Sequence, residues 1–264
     1  MAGSGAPPDK AIILGHPSYV WGYGQERRLA LIRRYAPLEN RTILDVGCGL
    51  GMYVRAFRRY SPEVFGVDID GDKLVEARRA DLPNLYAATA EALPFPTGRF
   101  GVILSHEVIE HVSDDRQAVA DAVRILAPGG RLVIFAPNRL YPFETHGAYW
   151  GGRYHFGNIP LAGYLPDRWR RRFAPHVRAY TRRGLRRLLA GLPVRVVVHT
   201  QIYPGYDKIV GRRPILGRLF RGVTYFLENT PLRAFGLSHL LVVEKTDPMG
   251  LPQDPDRTGA GENA

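Results

Sequence analysis

Hydrophobic and polar positions in the first half of the chain alternate between two rhythms. Residues 25–36 (QERRLALIRRYA) repeat apolar side chains at helical spacing and predict a helix that packs against a sheet. An apolar run over 41–46 predicts a strand ending in a glycine-rich turn. Further strands are predicted at 64–68, 84–87, 100–104 and 131–136, the last after the turn Pro128-Gly129-Gly130. Helical patterns fill the gaps at 52–60, 72–80 and 114–126. Strands that alternate with helices make a parallel sheet covered on both faces, so the expected class is α/β with a doubly wound core.

After Pro137 the rhythm breaks. Residues 138–175 are rich in aromatics, Gly, Pro and Arg and too long for an ordinary loop; insertions of this size are usually functional. A helix at 181–190 and a strand at 193–201 resume the pattern, and a second insertion, 203–235, precedes a final strand at 238–244. The predicted organisation is an N-terminal extension (1–24), one domain (25–245) carrying both insertions, and a disordered tail (246–264). Within the second insertion Ile215, Leu216, Leu219, Phe220, Val223, Phe226 and Leu227 share one helical face, with Arg218 and Arg221 on the other. Such a helix is too short to span a bilayer; it either packs on its own protein or lies on a membrane surface.

Composition narrows the classes. The 264 residues are 45% hydrophobic, which is ample for a core and excludes a disordered chain. The single cysteine, Cys48, excludes a disulfide framework and a multi-cysteine zinc site. No apolar run reaches the ~18 residues of a membrane span, and the N-terminus lacks the basic-then-apolar pattern of a secretory leader. The expectation is a soluble cytoplasmic protein, with 203–235 offering peripheral contact at the inner membrane surface. The net charge of +11 is unevenly divided: residues 1–137 carry 16 basic and 16 acidic side chains, 138–245 carry 19 and 5, and 246–264 carry 1 and 4. A segregated basic surface meets something anionic, whether nucleic acid, phospholipid head groups or a phosphorylated substrate.

The sharpest chemical signal is Ile43-Leu44-Asp45-Val46-Gly47-Cys48-Gly49-Leu50-Gly51, an apolar strand running into a glycine turn and then a helix. Glycines there let the backbone approach a ligand closely. Asp68 follows at the end of the second strand, where a carboxylate can accept hydrogen bonds from both hydroxyls of a ribose. The spacing is G-x-G-x-G rather than the dinucleotide G-x-G-x-x-G, and Met52 occupies the place of the last glycine. Asp45, two positions before the first glycine, would repel a pyrophosphate but could hold a cationic amino group.

An amino group, a ribose and no phosphate describe S-adenosylmethionine. The sequence here resembles the class I S-adenosylmethionine-dependent methyltransferases of the ubiquinone-methyltransferase-like kind. The motifs that carry the likeness are ILDVGCGLG, VFGVDID, ATAEALPF (88–95), FGVILSHEVIEHV (100–112) and PGGRLVIFAPN (128–138). The resemblance implies a seven-stranded Rossmann-like sheet, with insertions after strand 5 and between strands 6 and 7. It further implies that Asp45 and the turn Gly47, Cys48, Gly49 and Gly51 border the methionine end of the cofactor. Asp68 would bind the ribose, Ile69 would pack on the adenine, Ala90 and Glu91 would flank the adenine edge, and His106 would line the sulfonium pocket. Arg27, 20 residues before Gly47, corresponds to a cofactor-contacting Arg of similar quinone methyltransferases. The family commonly has Asp where this chain has Thr89 and Gly101.

Methyl transfer to a hydroxyl needs alignment and removal of a proton, by a base or a metal ion. Glu107, Glu110 and His111, placed on a helical turn, would share one face and could bind Mg²⁺, Mn²⁺ or Zn²⁺. This E-x-x-E-H string is similar to one in ubiquinone-pathway O-methyltransferases and small-RNA 3′-terminal methyltransferases, where it implies metal ligands. His176, in H-x-x-x-Y-T, would be a further ligand. The alternatives are a cap and packing element, or His111 as a base or polar wall of the substrate pocket; His146 and His155 are lesser candidates. The [DN]-P-P-[YFW] motif of amino-group methyltransferases is absent, its position reading Ser105-His106-Glu107-Val108. Three functions stay open: O-methylation of a small-molecule or lipid-linked acceptor, RNA methylation, and cofactor binding without catalysis. DNA is not an expected partner.

Overall fold

The computed structural model describes residues 21–150, 153–155, 157–174 and 177–246. Seven strands form the central sheet: β1 (Ile43–Val46), β2 (Val64–Asp68), β3 (Leu85–Ala87), β4 (Phe100–His106), β5 (Leu126–Pro137), β10 (Val194–Ile202) and β11 (Ser238–Lys245). Their order across the sheet is β10-β11-β5-β4-β1-β2-β3. β1 pairs in parallel with both β2 and β4, whereas β11 runs antiparallel to β5 and to β10. The sheet is thus parallel except for its last strand. β1 and β2 are buried along their whole length, as strands covered on both faces must be.

Two hydrophobic cores cover the sheet. Leu29 and Ile32 of α1 (Tyr23–Tyr35), Val54 and Phe57 of α2 (Met52–Phe57) and Leu74 of α3 (Gly71–Arg79) fill one. Val119 and Ile125 of α4 (Asp115–Ile125) and Leu185 of α6 (Arg182–Arg187) fill the other. The chain leaves β1 toward β2 on one side and later crosses to β4 on the other, so strand order reverses at the carboxyl end of β1. In open α/β sheets ligands bind at that crevice.

The first insertion contains two short antiparallel ribbons, β6 (Phe143–Glu144) with β9 (Ile159–Pro160) and β7 (Ala148–Trp150) with β8 (Arg153–His155), followed by α5 (Asp167–Phe173). The second contains α7 (Asp207–Arg212), α8 (Pro214–Leu227) and a 3₁₀ turn over Pro231–Phe235. The amphipathic helix expected there exists, but its apolar face does not pack on the protein: Ile215, Leu219 and Phe226 are exposed. Residues 1–20 and 247–264, which include most of the expected extension and tail, lie outside the described residues. No described helix is long and apolar enough to cross a membrane.

Candidate active site

The glycine hairpin after β1 is held from two sides. Gly47 has φ +73°, and a Cβ there would lie 2.3 Å from Val108 Cγ2, so packing alone demands glycine. Gly49 has φ +53°, yet nothing lies within 4 Å of an added Cβ. The space beside it is open for a ligand. Asp68 fixes the hairpin to β2: its Oδ2 accepts from the Gly49 amide at 2.7 Å and its Oδ1 from the Asp70 amide at 2.8 Å. A carboxylate oxygen has two lone-pair directions, so each can also accept from a ribose hydroxyl. Ile69, next in the chain, is 59% exposed, an apolar surface at the lip of the crevice.

Beneath the hairpin, Asp45 is buried. Burial, and then the charge of Asp68, hold its pKa well above the ordinary carboxylate range. Cys48 is buried with its amide donating to Val67 O at 2.9 Å, and burial pushes its thiol pKa up, so it is an inert packing group. Gly51 starts α2 and lies against Leu82. Ala90 is half-buried. The Glu91 carboxylate accepts the Ser113 amide at 2.8 Å and ties the loop before α4 in place.

Arg27 does not reach the crevice. Its guanidinium pairs with Glu228 and lies 3.8 Å over the Tyr225 ring, both on the second insertion. The following residue, Arg28, points into the site instead: it lies 5.7 Å from the Phe135 ring centroid, and its charge acts on His106, Glu107 and Tyr53. Sequence spacing could not choose between the two, but Arg28 is one helical turn from Gly24 and from Ile32, both buried. His106 sits between the rings of Tyr53 (5.1 Å) and Phe135 (5.2 Å). Burial and then Arg28 lower its pKa to about 4, so the imidazole is neutral at pH 7. Arg28 Nε, Tyr53 Oη and His106 Nε2 are buried with no hydrogen-bond partner among the described residues. Three such atoms around one crevice mark a place where a polar ligand belongs.

Past β4 the chain makes one tight turn, the His111 amide donating to Val108 O at 2.9 Å, in place of the helical turn expected from Glu107. Glu107 continues the strand edge, its amide donating to Phe135 O at 3.0 Å, and then turns at φ +55°, a left-handed conformation rare outside glycine. Its side chain is drawn toward β11, where Ser238 Oγ donates to Oε1 at 2.7 Å. Burial alone would raise the Glu107 pKa, but His106, Arg28, His146 and the Ser238 hydroxyl bring it below the usual value. Glu110 behaves oppositely: burial and then the charge of Glu107 raise it, and its carboxyl meets that of Glu107 in a side-chain hydrogen bond that requires a proton on one of the two.

Glu110, His111 and His146 each offer one ligand atom, all within 4.8 Å of one another. Of the metal set expected from sequence, Glu110 and His111 lie together and His146 joins them; Glu107 accepts from Ser238 and its carboxyl meets that of Glu110, and His176 lies outside the described residues. His155 is exposed on β8. His146 is brought to the cluster by the first insertion. Its Nδ1 lies 3.0 Å from Glu144 Oε1, and Glu144 in turn pairs with buried Arg170 at 2.8 Å. A hydrogen bond from Nδ1–H to a carboxylate leaves Nε2 with the lone pair, the arrangement that orients ligating histidines. Beyond the end of β5, Asn138, Arg182, Gln201, Arg233 and His239 line a cavity of about 300 Å³.

Residues 44–134 match a family model described as a methyltransferase domain. An uncharacterised methyltransferase of Mycobacterium sp. (strain JLS) is 37% identical over 108 residues, 40% of this chain and 43% of that protein. A ubiquinone biosynthesis O-methyltransferase of Chelativorans sp. (strain BNC1) is 33% identical over 122 residues, 44% of this chain and 46% of that protein. The chain thus spans less than half the length of the curated relatives it matches. An S-adenosylmethionine dependent methyltransferase from Mesorhizobium loti shares the fold, with a TM-score of 0.59 at 17% identity over 85% of this chain and 98% of that one. The sheet order and crevice are those of the class I methyltransferase fold.

Proposed function

We propose that this chain, with its methyltransferase domain at 44–134, is an S-adenosylmethionine-dependent methyltransferase that methylates an oxygen of a small-molecule or lipid-linked acceptor. The observation that carries the cofactor assignment is the grouping at the end of β1: open space at Gly49, Asp68 across it and buried Asp45 below. When bound, S-adenosylmethionine supplies an electrophilic methyl group on a sulfonium. Asp68 accepts from the ribose hydroxyls, Ile69 covers the adenine, and Asp45 takes the amino group, whose charge offsets the cost of ionising that carboxyl in its buried position. His106 stays neutral and so does not repel a sulfonium.

An oxygen nucleophile must lose a proton. The Glu110–His111–His146 cluster supports this in one of two ways: an imidazole accepts the proton, or the three residues hold a divalent ion that lowers the pKa of the acceptor hydroxyl. The donor set suits a metal, because a cation would relieve the crowded Glu107–Glu110 carboxyls and Glu144 beside Nδ1 favours a lone pair on His146 Nε2. One carboxylate and two imidazoles suit Zn²⁺ or Mn²⁺ better than Mg²⁺, which prefers oxygen. Arg182 and Arg233 on the nearby cavity favour an acceptor that carries a carboxylate or phosphate.

Calorimetry with S-adenosylmethionine and with its demethylated product tests the cofactor; absence of binding by both removes the proposal. Methyl labelling of separated lipid, small-molecule and RNA extracts then tests the acceptor. Label confined to RNA would favour the second reading, for which the surplus of 19 basic over 5 acidic residues in 138–245 speaks. Metal analysis of the purified protein, with Glu110→Gln and His146→Ala as controls, tests the ion.

A further inference from the structure

Helix α8 is turned inside out. Ile215, Leu219 and Phe226 are 80%, 63% and 69% exposed, and Leu216, Phe220 and Val223 are exposed beside them. What faces the protein is small or polar. Gly217 sits where a Cβ would come within 2.7 Å of the Val210 backbone. Arg221 donates to Gly205 O from Nε at 2.8 Å and from Nη2 at 2.5 Å. Thr224 is buried, its hydroxyl donating to Phe220 O at 2.9 Å. Glu228, just past the helix, accepts the Tyr203 amide at 2.7 Å and pairs with Arg27. The polar side holds the helix in place, and the apolar side is left to its surroundings. Contiguous apolar surface of this kind marks a place where something else binds.

The charges indicate what. Both acidic groups of the segment are engaged by the protein: Glu228 as described, and exposed Asp207 accepting the Tyr23 and Gly24 amides, each at 3.0 Å, and facing Arg221 at 3.6 Å. Lys208, Arg212, Arg213, Arg218 and Arg233 are exposed and join no ion pair among the described residues. The outward surface is therefore an apolar stripe accompanied by cations. A second copy of the chain would bring the same cations face to face, because a two-fold interface pairs a patch with itself. An anionic bilayer offers hydrocarbon to the stripe and phosphates to the cations. With 14 residues, about 21 Å at 1.5 Å per residue, the helix falls short of the ~30 Å hydrocarbon core but can lie in its surface.

We propose that α8 docks this protein on an anionic membrane, with its Ile215–Phe226 face sunk to the boundary between head groups and acyl chains. Arg27 joins α1 to Glu228 and Tyr225, and the same helix carries Arg28 to the candidate site. Docking therefore places the acceptor side of the pocket near lipid. That consequence rests on the methyltransferase proposal; the docking itself does not.

The test is co-sedimentation of the full chain with vesicles of phosphatidylglycerol and phosphatidylcholine, and of phosphatidylcholine alone. Binding is expected to the anionic vesicles, weakening as salt rises. Two double variants, Leu219→Glu with Phe226→Glu and Arg212→Glu with Arg213→Glu, should each weaken it by about ten-fold or more. All four positions are exposed, and unchanged thermal unfolding would verify that the variants fold. Failure to bind anionic vesicles, or binding that neither double variant weakens, overturns the proposal. So does a stable dimer in ultracentrifugation that the Leu219→Glu, Phe226→Glu variant dissolves, since a second copy would then cover the stripe. Calorimetry with the demethylated cofactor on the same samples keeps the two proposals apart: loss of one binding leaves the other standing.

Discussion

Replacing Asp45 by Asn should stabilise the free protein and weaken its hold on the cofactor. The Asp45 carboxyl is 2% exposed, and burial and then Asp68 hold its pKa well up. Each unit of such elevation is about 1.4 kcal/mol against ionisation. Asn keeps the shape and removes the charge. Relief of about 1–3 kcal/mol, the scale of a poorly compensated buried polar group, corresponds to roughly 2–10 °C in melting temperature for a chain of this size. The sign with pH is fixed. Folded Asp45 binds its proton more tightly than the unfolded chain does, so its penalty is absent in acid. The penalty grows as pH rises above about 4, the unfolded value, and is complete above the folded one. The advantage of Asp45→Asn should therefore appear near neutral pH and vanish in acid. Binding moves the other way: a lost charge-assisted hydrogen bond of about 1.5–3 kcal/mol raises Kd about 10- to 150-fold. Calorimetry with two ligands isolates the contact. S-adenosylhomocysteine has the amino group, whereas 5′-methylthioadenosine lacks it. Asp45→Asn should weaken the first and spare the second, while Asp68→Ala weakens both. Equal loss for the two ligands in Asp45→Asn, or a lower melting temperature at neutral pH, refutes the assigned role.

Gly49→Ala should fold, at a cost of about 1–2 kcal/mol for its left-handed backbone, yet lose cofactor affinity because its Cβ enters the open crevice. Gly47→Ala meets Val108 at 2.3 Å and should lose stability as well; thermal unfolding beside calorimetry separates the two. Arg170→Met strands Glu144, whose pKa the native site brings to about 2 through His146 and Arg170 despite burial. A cost of about 3–5 kcal/mol is expected, seen as faster hydrogen exchange in the first insertion with cofactor affinity unchanged. Burial, then His239, Arg182 and Arg186, brings His199 to about 3, and His106 lies at about 4. The unfolded chain binds protons at these positions from about pH 6.5 downward, so stability should fall as pH drops from there toward 3–4. His199→Gln should flatten that part of the curve in fluorescence-monitored acid unfolding.

The alternation of strand and helix between residues 41 and 136 is legible because each signal is local. Strands covered on both faces read as apolar runs, and the Gly47–Gly49 hairpin declares a backbone that other residues adopt at a cost. What is not legible depends on direction. Counting back from Gly47 reaches α1 but cannot say which of two adjacent arginines faces the sheet. The periodicity of α8 is plain in sequence, yet a stripe has two sides, and it took Gly217 against Val210 to show which one is inward. Glu107 defeats the helical reading because β4 holds its amide, so its carboxyl meets Glu110 from the end of a strand and not along one face of a helix. His146 joins Glu110 and His111 through an insertion pinned by the Glu144–Arg170 pair, a contact no local pattern encodes.

Asp45 and Glu110 are the two carboxyl groups of the site that burial holds above their ordinary pKa, one under the cofactor hairpin and one beyond β4. A buried acid is costly to ionise unless a cation arrives with the ligand. That condition makes cofactor binding a proton-coupled event. In the free protein Asp45 retains its proton at pH values where it would ordinarily be charged, and an arriving ammonium drives it off into the buffer. Binding enthalpies measured at one pH in buffers of different ionisation enthalpy should therefore diverge, with a slope that reports proton release. In Asp45→Asn that contribution to the slope should disappear. A parent slope indistinguishable from that of the variant would mean that Asp45 is already charged before the ligand arrives, and the electrostatic reason for placing the amino group there would fail.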